Sequence, residues 1–215
     1  MTCRILFLLF VVSGSISLQA QDPLRFQKEV EELTKSDPSV NTKNLILFTG
    51  SSSIRLWPNL SKSFPAHNVL NRGFGGSEMS DLLYYSKSLI LNYKPRKIFI
   101  YEGDNDLNAG RTAEQILIHA DSLLSAIRKE LPKAKIIFIS PKPSEARWHL
   151  KAVYEDFNAR LKSWTKSRKD VYFADVWTPM LDANGNLLPG LLLEDNLHMN
   201  EKGYAIWTKV LNRFL

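Results

Sequence analysis

Short apolar runs and amphipathic stretches alternate along most of this chain. The runs Leu45–Phe48 ("LILF"), Lys97–Gly103 ("KIFIYEG"), Ala134–Ser140 ("AKIIFIS") and Val171–Asp175 ("VYFAD") have the length and side chains of buried strands, and "HNVLN" (His67–Asn71) adds a shorter one. Between them lie stretches with apolar residues three and four apart, which predict helices. These are 23–37, with Phe26, Val30 and Leu33 on one side, then 77–93, 112–131, 150–168 and a last helix from Glu201. Thr112 and Gln115 form a capping-box pattern, Ser77 is a plausible N-cap, and Pro141 and Pro143 close the fourth strand. Strands without polar alternation, each followed by a helix, predict a parallel sheet covered on both faces. The expected fold is one three-layer α/β domain with a five-stranded parallel sheet. In such a sheet a ligand site lies beyond the carboxyl ends of the strands.

The first twenty residues break the pattern. "MTCRILFLLFVVSGSISLQA" has Arg4, an uninterrupted apolar run from Ile5 to Val12, and a weakly polar stretch ending at Ala20. This reads as a secretory signal peptide cleaved near Ala20, and the run is too short for a membrane span. The expected division is a signal peptide at 1–20 and one domain at 21–215, secreted or periplasmic, without stable membrane insertion. Cys3 is the only cysteine, so the mature chain needs no disulfide and has no thiol catalyst or thiolate metal site.

Composition changes little. The 215 residues are 44% hydrophobic and 23% charged, with a net charge of +6 to which Arg4 contributes one. Basic clusters such as Tyr93–Lys97 and Lys166–Asp170 precede strands and read as solvated helix ends and loops. No basic face interleaved with aromatics or nucleic-acid motif accompanies them, so no nucleic-acid partner is expected.

Chemistry gathers where the fold places a site. "GSSS" (Gly50–Ser53) follows the first strand, "GFGGS" (Gly73–Ser77) the second and "GDND" (Gly103–Asp106) the third. "EDNLHMNEKGY" (Glu194–Tyr204) lies between the fifth strand and the last helix. A serine needs a base to become a nucleophile, and histidine, which titrates near neutrality, suits that role when a carboxylate orients it. A glycine N–H and a side-chain amide can stabilise the oxyanion of an acyl-transfer intermediate. Each residue alone has a plainer reading: Ser52 as a helix cap, Gly76 as a turn, Asn105 and Asp106 as side-chain turns, Asp195 as a cap of the last helix and His198 as a surface histidine.

In this order the motifs resemble those of the SGNH hydrolases, the GDSL-type esterases and lipases, over essentially the whole chain after the first helix. The resemblance implies a flavodoxin-like fold and a serine esterase working through an acyl-enzyme without a cofactor or metal. It implies Ser52 as nucleophile, Asp195 and His198 as the rest of a triad, and the Ser52 N–H, Gly76 and Asn105 as oxyanion hole. Ser51 stands where the family has Asp, so Ser51 and Ser53 stay open as alternative nucleophiles; the Gly-x-Ser alignment favours Ser52. Arg55, Trp57, Arg147 and Trp148 are the expected substrate-binding residues, although Arg and Trp serve equally to pack a loop. His67 and His119 read as structural or surface residues and His149 is undecided. "LDANGNL" (Leu181–Leu187) lacks the rest of a calcium loop and reads as a turn.

The substrate expected is a short-chain acyl ester, acetyl foremost, on a small molecule or a carbohydrate. Alternatives are a lysophospholipase or thioesterase and, in another class, a binding module without turnover. A flavodoxin-like cofactor protein is disfavoured because Trp57 and Pro58 leave no phosphate-cradling loop after the first strand.

Overall fold

The computed structural model describes residues 22–35 and 39–215. The predicted signal peptide at 1–20 lies outside the described residues, as does the end of the first predicted helix.

Five strands form one all-parallel sheet: β1 (Ile46–Gly50), β2 (Val69–Gly73), β3 (Lys97–Tyr101), β4 (Lys135–Ile139) and β5 (Val171–Ala174). Their order is β2-β1-β3-β4-β5. This is the flavodoxin-like winding, and its switch point lies between β1 and β3. Alternate strand residues feed two cores. Leu47, Ile98, Ile100, Ile136 and Phe138 face one side, where they meet α1 (Gln27–Thr34), α4 (Met79–Tyr84), α5 (Ser86–Leu89), α7 (Ala113–Glu130) and α8 (Lys151–Lys166). Ile46, Phe48, Phe99, Tyr101, Ile137 and Ile139 face the other, where Trp57, Phe64, Tyr204 and Trp207 cover them. Those last four come from short α2 (Ser52–Arg55) and α3 (Leu60–Ser63) with the loops around them, and from α9 (Glu201–Leu211).

The predicted elements are present with shifted ends. β1 and β2 run two residues past their apolar runs because Gly50 pairs with both Gly73 and Tyr101 in register. The expected helix over 77–93 is three pieces: α4, α5 and a 3-10 turn at Leu91–Tyr93. The first break, between Tyr84 and Ser86, falls among weak helix formers, and the second falls at Ile90, whose backbone leaves the helical region. Ser77 is not the N-cap expected. Glu78 and Asp81 close the α4 capping box, and the Ser77 hydroxyl donates to buried Glu102 at 2.7 Å. At α7 the expected capping box forms: the Gln115 N–H donates to the Thr112 hydroxyl at 3.3 Å, and the Thr112 N–H to the Gln115 side chain at 2.9 Å.

Candidate active site

β1 ends on Gly50 because another backbone leaves no room. Gly50 has φ +125°, and a Cβ there would stand 2.0 Å from the Tyr101 carbonyl oxygen of β3. The next N–H, that of Ser51, donates to the same carbonyl at 3.1 Å. The chain thus turns sharply over the sheet edge and starts α2 at Ser52. Ser51 and Ser53 point into the protein, 2% and 3% exposed, while Ser52 stands half-buried at the surface. The Tyr204 hydroxyl of α9 donates to the Ser53 carbonyl at 2.9 Å and ties this turn to the last helix.

The segment between β5 and α9 packs by its apolar residues, with Val176, Trp177, Met180 and Leu191 buried. Within it "LDANGNL" is a turn, closed by a bridge between Leu181 and Leu187. Asp195 caps no helix; Asn200 does, accepting from the Lys202 and Gly203 N–H groups. The Asp195 carboxylate instead accepts from the Leu197 and His198 N–H groups, both at 2.9 Å, and meets His198 Nδ1 at 2.6 Å. The other ring nitrogen, Nε2, lies 2.9 Å from the Ser52 hydroxyl. One hydrogen-bonded line therefore runs Asp195–His198–Ser52, and neither Ser51 nor Ser53 is part of it. Desolvation alone would raise the Asp195 carboxyl, but the bonds from the His198 side chain and from the two backbone N–H groups outweigh it and bring it to about 2. The carboxylate is thus charged whenever the imidazole is called on to take a proton.

The loops after β2 and β3 leave the two strands that flank β1. Gly76 is exposed, and a Cβ on it would meet nothing within 4 Å. Its neighbour Gly75 gives its N–H to Glu29 of α1 at 2.9 Å. Asn105 lies in α6 (Asp104–Asn108) and donates one amide hydrogen to the Ser77 carbonyl at 2.9 Å. Behind it Asp106 is buried and accepts from the N–H groups of Met79 and Gly103, which staples the two loops together. Burial pushes the Asp106 carboxyl up to about 7 against those bonds.

The four expected substrate-binding side chains separate. Trp57 is a core residue, 4% exposed, packed among Phe48, Phe64, Tyr204 and Trp207, with its indole N–H given to the Ser63 hydroxyl; its expected role is corrected. Arg147 is tied up as well, bonding Asp104 and the Asn105 side chain. Trp148 lies parallel to Trp177 at 6.4 Å with Lys151 over its ring, holding the loop after β4 to the domain. Arg55 alone stays largely exposed at the rim, 3.5 Å from Glu29. His149 is exposed on the same loop, and His67 and His119 lie away from the site loops. Among the described residues no group of three His, Cys, Asp or Glu side chains is placed to hold a metal. Sequence reasoning passed over Glu29, Lys142 and Tyr154. Glu29 had no signal beyond its place on an amphipathic helix, whereas Lys142 stood in the polar run after β4, where site residues were due.

This arrangement presents a serine to a base and the base to a carboxylate, as acyl transfer requires, and the loops with Gly76 and Asn105 follow the strands on either side of the serine's own strand. Comparison with known proteins agrees. Solved structures with the same fold include a GDSL-like lipase from Bacteroides thetaiotaomicron VPI-5482, 19% identical with a TM-score of 0.71, covering 90% of this chain and 96% of that one. A catalytic variant of an acetylxylan esterase from Geobacillus stearothermophilus is 17% identical, with a TM-score of 0.64 and coverage of 79% and 93%. A carbohydrate esterase family 3 structure from Talaromyces cellulolyticus is 19% identical, with a TM-score of 0.63 and coverage of 79% and 95%. Among curated proteins none matches. The model of the GDSL-like Lipase/Acylhydrolase family matches residues 48–206, a span that holds every residue of the site except Glu29, and the chain belongs to that family of serine ester hydrolases.

Proposed function

We propose that the protein is an exported esterase that removes short acyl groups, acetyl foremost, from carbohydrate esters. The line Asp195–His198–Ser52, at 2.6 and 2.9 Å, carries the chemical part of this reading. Ser52 Oγ attacks the acyl carbon while His198 Nε2 takes its proton. The carbonyl oxygen becomes an oxyanion, met by the N–H groups of Ser52 and Gly76 and by the second amide hydrogen of Asn105. Collapse expels the alcohol, which leaves with the proton from His198. A water, deprotonated by the same imidazole, then attacks the acyl-Ser52 ester; the acid is released as the Ser52–acyl bond breaks and His198 returns the proton to Ser52 Oγ.

Exposure supports the short acyl group. The His198 and Asp195 side chains are 21% and 47% exposed, and open space lies over Gly76, so the nucleophile works in a surface cleft. A methylene gains ~0.8 kcal/mol only when it is buried, so such a cleft gives long chains little reward. The acetylxylan esterase and the carbohydrate esterase among the structural neighbours support a sugar as the leaving group, and the signal-peptide pattern in the sequence of residues 1–20 supports export.

The test is kcat/KM across p-nitrophenyl esters of two to sixteen carbons, below their micelle concentrations, beside acetate release from acetylated xylooligosaccharides. Highest values for acetyl to butyryl esters, with acetate released from the sugars, are expected. A maximum at twelve carbons or more replaces this reading with a lysophospholipase-like one.

A further inference from the structure

Both ends of the Asn105 carboxamide are held. Its Oδ1 accepts from Arg147 Nη2 at 3.0 Å, and its Nδ2 donates to the Ser77 carbonyl at 2.9 Å. These bonds fix the orientation of the amide by chemistry. A guanidinium cannot accept and a carbonyl cannot donate, so the flipped amide would oppose a like group at both ends. One Nδ2 hydrogen is then left, and it has no partner among the described residues.

Arg147 is itself anchored. Its Nη1 donates to the Asp104 carboxylate at 2.6 Å and to the Asp104 carbonyl at 2.9 Å, and its side chain is only 12% exposed. The Asp104 carboxylate also accepts from the hydroxyls of Tyr101 and Tyr154, each at 2.6 Å. Lys142, wholly buried, stands 3.8 Å from it with no hydrogen-bond partner among the described residues. Desolvation pushes the Asp104 carboxyl upwards, but Lys142, Arg147 and the two hydroxyls outweigh it and hold Asp104 charged. Arg147 belongs to the loop after β4, whereas Asp104 and Asn105 follow β3. A planar fork thus reaches across two loops, with one arm on an anchored carboxylate and the other on the amide.

We infer that Arg147 is a positioning residue: it sets the Asn105 carboxamide so that its free N–H faces the oxyanion, and it does not bind substrate. This rests on the oxyanion role proposed above for Asn105. A lysine here keeps the charge beside Asp104 but has no rigid fork to reach both groups at once. Displacing a transition-state donor by about 1 Å can cost on the order of 100-fold in rate. Substrate affinity does not depend on it if Arg147 never touches substrate.

The experiment measures kcat and KM on p-nitrophenyl acetate for Arg147→Lys, Asn105→Ala, the double variant and Tyr154→Phe, with folding followed by circular dichroism. Tyr154 holds Asp104 but does not touch Asn105. Arg147→Lys is expected to lose roughly ten- to a hundredfold in kcat with KM within about twofold. In the Asn105→Ala background the same change is expected to cost less than about twofold, because the group it positions is gone. Tyr154→Phe, which loosens Asp104 but leaves the Arg147 fork in place, is expected to lose less kcat than Arg147→Lys. Should Arg147→Lys leave too little folded protein, Arg147→Gln serves the same comparison. An unchanged kcat in Arg147→Lys, an effect on KM alone, an equal loss in both backgrounds, or an equal loss in Tyr154→Phe overturns the inference. An undamaged Asn105→Ala overturns the oxyanion reading as well, whereas a damaged Asn105→Ala beside an intact Arg147→Lys overturns the inference alone.

Discussion

Three adjacent serines differ by what surrounds each. Ser51 and Ser53 are buried and Ser52 faces His198, so the hydroxyls separate by backbone geometry and not by residue type. Ser52→Ala is therefore expected to lower kcat by about ten-thousandfold or more while the fold persists. Ser53→Ala should keep most of the activity, and initial rates on p-nitrophenyl acetate measure both. Activity that survives in Ser52→Ala and vanishes in Ser53→Ala would move the nucleophile. At this scale the sequence was legible where a residue follows a strand end: Ser52 meets Asp195 and His198, and Asn105 follows the neighbouring strand, because the topology brings these ends to one edge of the sheet. It was not legible where burial decides. Trp57 and Trp148 look alike in sequence, yet Trp57 is covered by Tyr204 and Trp207 from the other end of the chain, which no local pattern encodes. Arg147 could not be told from a substrate-binding arginine either, since its partner Asp104 comes from a different loop.

Elements were legible when their own residues specify both ends. α7 has its capping box and five buried positions at helical spacing, and it spans Ala113–Glu130 as the pattern predicts. Thr112→Ala is expected to cost about 1 kcal/mol, read as a melting temperature lower by about 2–4 °C with kcat unchanged. A loss of activity without a shift in melting would mean that α7 reaches the site. The stretch after β2 was less legible, because its ends are set from outside. Asp81, in the first turn of α4, is held by Arg25 at 2.5 Å, and the Tyr85 hydroxyl just past α4 by the Pro23 carbonyl, so the chain before α1 anchors both ends of α4. Glu29 of α1 bridges the Gly75 N–H and Arg55 and joins this amino-terminal helix to the loops beside Ser52. Glu29→Ala should lower kcat several-fold, since the Gly75 N–H loses its partner and the neighbouring Gly76 is less well held. Glu29→Gln, which still offers an acceptor, should restore most of it. Equal losses in both variants would point to the Arg55 pair instead.

The whole molecule carries a cost in its buried acids. Burial raises the carboxyls of Glu102, Asp106 and Asp81, and Asp106 reaches about 7. An unfolded aspartate titrates at ~3.9, so between about pH 4 and 7 the folded protein keeps a proton on Asp106 that the unfolded chain has released. Stability from this group is full below the unfolded value, falls as pH rises through that window and levels off above it. Asp106→Asn should flatten the profile between pH 4 and 7, measured as urea unfolding free energy at several pH values. An unchanged slope would assign the proton to Glu102 or Asp81. From the alternation of elements alone the sheet was legible only as a class, whereas the family resemblance implied the flavodoxin-like order that is observed. Alternating strands and helices imply parallel pairing, but β2-β1-β3-β4-β5 depends on which faces the crossover helices cover, and that is a property of the assembled domain.

The bond from Tyr204 to Ser53, with His198 a few residues before it, has a consequence in time. A ribosome makes the serine early and the imidazole nearly 150 residues later. Until the last helix has emerged and docked, the nascent chain carries a hydroxyl with no base, no different from any other serine. The hydrolase therefore cannot act on esters around it while it is being synthesised. Its chemistry switches on with the completion of its fold. A circular permutant that opens the chain between α7 and β4 would place the histidine before the serine, yet its activity would still wait for β1 and β3 to join the sheet.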